Sequence, residues 1–397
     1  MSDTPVPRRS LLRGLALGAV GAPLVAAFGA PSVAAAGTRR RFADGTLPVT
    51  VTNESGKAGN DAIKLYVVGT DLATGAQAHA DANGNLIPVS LSDNGSDGYT
   101  DYSIPLSGSG DTTIALPHMS GRIYFALGEP LKFKAVPDGN GNPALAYPAG
   151  WVESDPNYPV LHDFFEFTYD GSGMHCNNTQ VDMFSVPSSV HLVGASDQTT
   201  GTLAAGGRGA IFADLSGQAG FGSLVLDDLR VIAPGHGIEV GRFAGDYFDG
   251  YINDVWSKYT GETLTVHTGS ADRTGRVSGG VFTFDGGVAP ISKPSTSDVF
   301  FCAGALAAPN DGLTGPVAAA LGAGFNRSTL LASASQPTDD PAGFYATDPT
   351  NHYARVMHAH MTDGKAYGFP FDDVAGFASY IEDGAPTALH LTLTAFG

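Results

Sequence analysis

The chain has 397 residues, with 39 acidic against 21 basic side chains and a net charge of −18. A composition that is 43% hydrophobic and only 15% charged belongs to a chain that builds a core, which excludes intrinsic disorder. No basic stripe is present, so nucleic acid is excluded as a partner, and the acidic balance points to a neutral or basic substrate.

The first residues read as an export signal. Arg8-Arg9-Ser10-Leu11-Leu12 has the form of a twin-arginine motif, an apolar Gly- and Ala-rich run covers residues 14–30, and Ala34-Ala35-Ala36 offers a cleavage site before Gly37. The apolar run is short for a membrane span and is interrupted by Gly and Pro, so cleavage is favoured over anchoring. Residues 37–46, headed by Arg39-Arg40-Arg41, form a linker. Short strands then begin, over residues 48–53, 62–69, 86–91, 113–117 and 121–127, punctuated by Asn83-Gly84 and Asn94-Gly95 turns. Asp138-Gly139-Asn140-Gly141-Asn142 lacks the EF-hand positions and reads as a turn.

The most informative stretch spans residues 162–187. It is read as two strands, 162–170 and 178–186, joined by a Gly-rich connection over residues 171–177. Alternation puts Phe165, Phe167 and Tyr169 on one face and Glu166, Thr168 and Asp170 on the other. On the second strand Asn178, Gln180 and Asp182 share a face. One side is thus apolar, and the other carries two carboxylates, Glu166 and Asp182. Such a pair is what glycoside hydrolysis uses: an acid for the leaving oxygen, and a carboxylate that activates water or attacks the sugar. The plain alternative is a solvated outer sheet face. A symmetric register would set the two acids directly opposite, about 5 Å apart at Cβ, where like charges repel. A shifted register with carboxyl groups roughly 6.5–9.5 Å apart is expected instead, and it favours inversion.

Glu166-Phe167-Thr168 followed by Asn178-Thr179-Gln180-Val181-Asp182 resembles glycoside hydrolase family 64, the laminaripentaose-releasing β-1,3-glucanases. Tyr251-Ile252-Asn253 with Val255-Trp256, and the run from Ala366 through Tyr367, Asp372 and Asp373 to Val374, agree. The likeness extends from about Leu47 to the end. It implies a mainly β, thaumatin-like fold, with a β sandwich or barrel lobe and a smaller mixed α/β lobe enclosing a wide cleft. It also implies a secreted inverting endo-enzyme acting on linear β-1,3-glucan, with Glu166 as general acid and Asp182 as general base. Thr168, Asp170, His175, Thr179, Tyr367, Asp372 and Asp373 are the candidate sugar contacts. His175 and Asp170 stand where the family has aromatic and amide side chains. No cofactor is implied; the expected partner is the glucan, and the expected state a monomer free of membrane after cleavage. The alternative is a non-catalytic thaumatin-like glucan-binding or defence protein.

Beyond residue 187 helical spacing enters, at 244–259 with Tyr247, Tyr251 and Val255, and at 316–325 with Pro316 at a first helical position. The division expected is 47–190 with 360–397 as the β lobe and 191–359 as the mixed lobe, residues 390–396 returning to the β lobe as a strand. His352, His358 and His360 share a parity that would gather them on one strand face, but nothing completes a zinc set. No serine fits a nucleophile elbow and no phosphate-binding loop occurs. Trp151, Tyr158, Tyr251, Trp256 and Tyr367 are stacking candidates, with core placement as the alternative. Cys176 and Cys302, the only two cysteines, are expected to pair after export.

Overall fold

The computed structural model describes residues 45–397; the twin-arginine run and most of the linker lie outside them. Among the described residues no helix is long and apolar enough to cross a membrane.

Two sheets carry the first half of the chain. One has the order Asp197–Thr200, Ser188–Val193, Ala388–Leu393, Leu47–Asn53, Thr112–Leu116. The other runs Tyr380–Asp383, Gly173–Asn177, Leu161–Asp170, Met119–Leu127, Ile63–Asp71, Gln77–Ala80, Leu86–Pro88. Alternation within the strands decides how they stack. Val49, Val51, Leu389, Leu391 and Val190 from the first sheet meet Leu65, Val67, Ile123, Phe125, Phe165 and Phe167 from the second in one apolar cluster. Fully burying a side chain of this size contributes about 1.5–3 kcal/mol. The C-terminal strand does return to this lobe, parallel to Leu47–Asn53 and antiparallel to Ser188–Val193.

The opposite face of the larger sheet carries the alternate residues: Arg122 and Tyr124 on one strand, Phe164, Glu166 and Thr168 on its neighbour. Gly69 and Gly121 face each other across the two central strands, and a Cβ at either would lie 2.2 Å from the carbonyl oxygen of Ser120 or Val68. Only glycine permits that approach. It sits immediately before Arg122.

The chain from Phe184 to Ala366 builds a second, larger core. It contains a five-stranded sheet, ordered Ile291–Ser292, Val281–Phe284, Asp272–Ser278, Leu264–His267, Ser335–Gln336. Around it lie the helices Asp249–Gly261, whose Tyr251, Val255, Trp256 and Tyr259 point inward, and Thr314–Asn326, which is buried almost throughout. Pro316 is its third residue rather than its first.

Several expectations are corrected here. The hairpin turns over Gly171 and Ser172 alone: the second strand is Gly173–Asn177, and Glu166 stands opposite Asn177. Residues 178–182 form a connecting loop, and only Met183–Phe184 is extended, pairing in another sheet with Arg230–Ile232. The strand propensity of residues 178–186 loses to tertiary contacts. His352–His360 is a helix, not a strand, and its histidines separate: His352 to Asp348, His358 to Asp372, His360 to Asp214. Cys176 and Cys302 do not pair. Cys176 is buried between the two sheets, whereas Cys302 ends the Thr296–Phe301 helix in a separate cluster with Phe369 and Phe371. Both thiols have no accessible surface, and burial pushes the Cys176 thiol up. In the native protein, maleimide therefore labels neither cysteine within hours, and in denaturant it labels both without prior reduction. Mass analysis reads the count.

Candidate active site

Glu166 lies in the middle of Leu161–Asp170, on the face turned away from the sandwich core. Its cross-strand neighbour is Arg122, whose Nε and Nη2 donate to Glu166 Oε1 at 3.0 and 2.8 Å. The third nitrogen, Nη1, lies 3.0 Å from Asp182 Oδ2 and 3.2 Å from the Tyr124 hydroxyl. Phe164 underlies the guanidinium, 4.0 Å from its ring centre. One planar fork thus holds both acids, each on a different part of it, which a lysine cannot do. The acids are bridged by a cation and do not face each other directly.

Asp182 arrives from the loop that sequence reading takes for a strand. Four backbone anchors fix that loop. Asn178 N donates to Ser379 O, Gln180 N to Tyr367 O, the Tyr353 hydroxyl to Gln180 O, and Ala233 N to Asp182 O, all within 2.7–3.1 Å. Tyr367 N also donates to Gln180 Oε1 at 2.9 Å. The loop is therefore pinned from both lobes, and its last residue is presented to Arg122.

The other oxygen of Asp182 is held from the second lobe. His236, on the Pro234–Glu239 helix, places Nε2 3.1 Å from Asp182 Oδ1 and Nδ1 2.7 Å from Glu239 Oε2. Trp151 stacks on the imidazole at 3.8 Å, and Phe301 meets it edge-on at 5.1 Å. A Cβ on Gly235 would lie 2.8 Å from the Phe301 ring, so the glycine is what admits it. Burial alone would raise the Asp182 pKa; the Arg122 and His236 charges outweigh it and hold this carboxyl below the usual carboxylate range. Burial works against a charged His236 too, but its two carboxylate partners raise its pKa above the ordinary imidazole value. Side-chain exposure is 8% for Glu166 and 13% for Asp182, enough for each to be reached from solvent.

The strip continues along the same sheet face. Thr168 Oγ1 is 2.8 Å from Ser120 Oγ and stands opposite His175. His175 Nδ1 is 2.8 Å from Glu382 Oε2 and 2.9 Å from the Tyr380 hydroxyl. Asp170 accepts a bond from Ser172 N at the turn. Thr168 is buried beside Glu166, while Asp170 and His175 are half-buried. Asp373 is half-buried, just ahead of the short 3-10 turn Val374–Gly376.

Three candidate contacts are corrected. Asp372 has no accessible surface and is consumed by Arg327 at 3.1 Å, His358 at 2.8 Å and Gly368 N at 2.9 Å; it locks the core, since a buried charge needs such partners. Thr179 is buried, with Oγ1 accepting from Val181 N, and Tyr367 is buried with its backbone on Gln180. Both fix the loop that bears Asp182. Among the aromatics, Tyr251 and Trp256 belong to the core, Tyr158 receives Arg242, and Trp151 packs on His236.

Sequence reading missed Arg122, His236 and Glu239. Arg122 left a signal: it is the one charge in a nine-residue strand that is otherwise apolar or small, and a charge there has to be paired. His236 left little: Glu239 is three residues on, but Asp182, Trp151 and Phe301 are distant in sequence.

The comparisons with known proteins bear on this geometry. The family model described as beta-1,3-glucanase, of glycoside hydrolase family 64, matches residues 45–393. The chain belongs to glycoside hydrolase family 64. A curated relative, the glucan endo-1,3-beta-glucosidase of Cellulosimicrobium cellulans, is 37% identical over 368 residues. That alignment covers 88% of this chain and 65% of the relative, so the family 64 chain spans just under two thirds of that protein's length. Among solved structures, a laminaripentaose-producing beta-1,3-glucanase in complex with laminaritetraose superposes with a TM-score of 0.81 at 41% identity, covering 89% of this chain and all of the other. A family 64 beta-1,3-glucanase domain from Clostridium beijerinckii gives 0.79 at 31% identity, covering 90% of this chain and all of that domain. The mainly β architecture is therefore that of family 64.

Proposed function

We propose that this protein is a secreted, monomeric, inverting endo-β-1,3-glucanase that cuts linear β-1,3-glucan to short oligosaccharides, chiefly laminaripentaose. Family membership and the likeness to a laminaripentaose-producing enzyme support the substrate. A thaumatin-like arrangement, with the acid-bearing sheet face as the floor of a wide cleft, is the matching fold reading. A neutral glucan suits a strip of hydroxyls, amides and half-buried acids in a chain of net charge −18.

The observation that carries the mechanism is the Arg122 bridge, because it treats the two carboxyl groups differently. Asp182 has one oxygen on a guanidinium and the other on His236, so it stays ionised. A carboxylate has about four lone-pair directions, which leaves room to accept a hydrogen bond from water. Asp182 is then the general base. Glu166 is gripped through Oε1 alone. Its Oε2 can carry a proton and deliver it to the glycosidic oxygen. Glu166 is then the general acid. Thr168, Asp170, His175 and Asp373 are the proposed sugar contacts outside this pair.

A water between base and anomeric carbon demands inversion. Proton NMR within the first minutes of hydrolysis shows the α anomer ahead of mutarotation; initial release of the β anomer overturns the role of Asp182. A reducing-sugar assay on linear β-1,3-glucan separates this enzyme from a protein that binds glucan without turnover.

A further inference from the structure

The mechanism above uses Arg122, Glu166 and Asp182. It counts the group holding the second oxygen of Asp182 only as one more contact and does not say what keeps that group charged. That group is built with care. His236 is 9% exposed, clamped between Trp151 and Phe301, and bonded through both ring nitrogens to carboxylates. Nothing in the family likeness stated above calls for it.

We propose that His236 is a positioning residue for the base: an imidazolium, kept charged by Glu239, that fixes Asp182 and keeps it ionised. The proposal rests on the assignment of Asp182 as base. The proton count supports it. Two carboxylates accept from the two ring nitrogens, at 3.1 and 2.7 Å, so both nitrogens must bear hydrogen. A neutral imidazole has one N–H and would present a lone pair to one of the acids. The direction of the His236 pKa agrees. The charged and titratable groups around the pair are Arg122, Glu166 and Tyr124 on the sheet, and Glu239 on the helix of His236. Of these Arg122 is cationic by nature and grips the other oxygen, so the imidazolium is the part of the clamp that can titrate.

The geometry gives the pair a particular division of labour. Asp182 hangs on a loop of the first lobe's chain, and His236 lies in the second lobe's core region. The clamp therefore fixes Asp182 against rotation about its own Cβ, with one oxygen held from each side. Misplacing a reacting group by an ångström costs on the order of 10²-fold.

The test is the pH profile of His236→Gln beside wild type, with Asp182→Asn as reference. The glutamine amide can still donate to Asp182 Oδ1 but carries no charge. Loss of an opposite charge this close moves a carboxyl pKa by about one unit or more. The acid limb of kcat/KM in His236→Gln is therefore expected about one pH unit higher, with the alkaline limb in place. The plateau kcat falls by about 10- to 100-fold, and KM changes less. His236→Ala falls further than His236→Gln. A merely structural histidine would lower kcat without moving the acid limb, and that result overturns the proposal. A second measurement needs no stable His236 variant: NMR titration of the imidazole, assigned through Glu239→Gln. The His236 resonance titrates above the ordinary imidazole value in wild type and lower in Glu239→Gln. Titration at or below the ordinary value in wild type also overturns it. If Asp182→Asn keeps its activity, the base assignment falls and this role with it. If Asp182→Asn is inactive and the acid limb of His236→Gln is unmoved, the role of His236 alone is wrong.

Discussion

Asp182→Asn and Glu166→Gln each lower kcat on linear β-1,3-glucan by about 10²–10⁴-fold, the usual worth of a positioned acid or base. The two losses arise differently. An amide at 182 can still accept from Arg122 through its oxygen, while its NH2 faces His236 Nε2, which keeps the contact by losing its proton and accepting, so the loop stays in place. It cannot take a proton from water. Added azide enters as an anion that needs no base, and it restores turnover to Asp182→Asn with an α-glycosyl azide as product. An amide at 166 keeps the Arg122 contact through its oxygen but has no proton to give. Azide does not rescue it on an unactivated glucan. Substrates with a good leaving group do, since they need no acid. Circular dichroism should overlay both variants on wild type. Turnover within threefold of wild type for either variant removes its assigned role.

Arg122→Met has the largest expected effect on stability, about 3–5 kcal/mol at neutral pH. Arg122, Glu166 and Asp182 are all nearly buried, with side-chain exposures of 10%, 8% and 13%. Removing the cation leaves two acids close together without their shared partner. The Asp182 carboxyl, which that cation helps to hold low, then titrates higher, since burial and a like charge beside it both favour its neutral form. The sign follows. A carboxyl whose folded pKa is raised costs nothing below its unfolded pKa and costs more as pH rises above it. The deficit in unfolding free energy should therefore shrink towards pH 4 and grow towards pH 7. Denaturant unfolding at several pH values measures it. A deficit that is flat with pH would mean that Arg122 acts through packing on Phe164, 4.0 Å beneath it. Lysine at 122 is expected to recover part of the stability and little of the activity, because a point charge cannot grip two carboxyl groups in a fixed plane.

The sequence made the first strand of the site readable and hid the second acid's support. Residues 165–170 alternate strictly, so Phe165 and Phe167 in the core and Glu166 on the opposite face follow from period alone. Residues 178–182 alternate nearly as well and are not a strand. Their backbone bonds go to residues 233, 353, 367 and 379, some 50 to 200 positions away, and local pattern cannot register such partners. The same gap explains the cysteines. Being the only two suggested a pair, but Cys176 belongs to the sandwich and Cys302 to a helix end in another cluster. Asp372 misled in the opposite sense. Next to Asp373 it looked like half of an exposed acidic pair, and Arg327 and His358 draw it wholly inside. Helical content in the second lobe is legible where aromatic spacing is regular, as at Tyr251 and Val255, although Tyr247 of the same spacing lies ahead of the helix Asp249–Gly261. It was missed at His352–His360, where histidine parity suggested a strand.

The place of Ala388–Leu393 between Leu47–Asn53 and Ser188–Val193 has a consequence for the order in which the molecule can be built. During synthesis the two flanking strands emerge early, and the space between them stays empty while nearly 200 further residues are made. Neither can satisfy its inward edge until the last strand arrives. A nascent chain stalled before Ala388 thus presents two open strand edges, the kind of surface on which chains aggregate or chaperones bind. Closure of the smaller sheet is a late event set by the longest sequence separation in the fold, and such long-range pairing is slow. Protease protection of the Leu47–Asn53 segment on stalled ribosomes should appear only after residue 393 has cleared the exit tunnel.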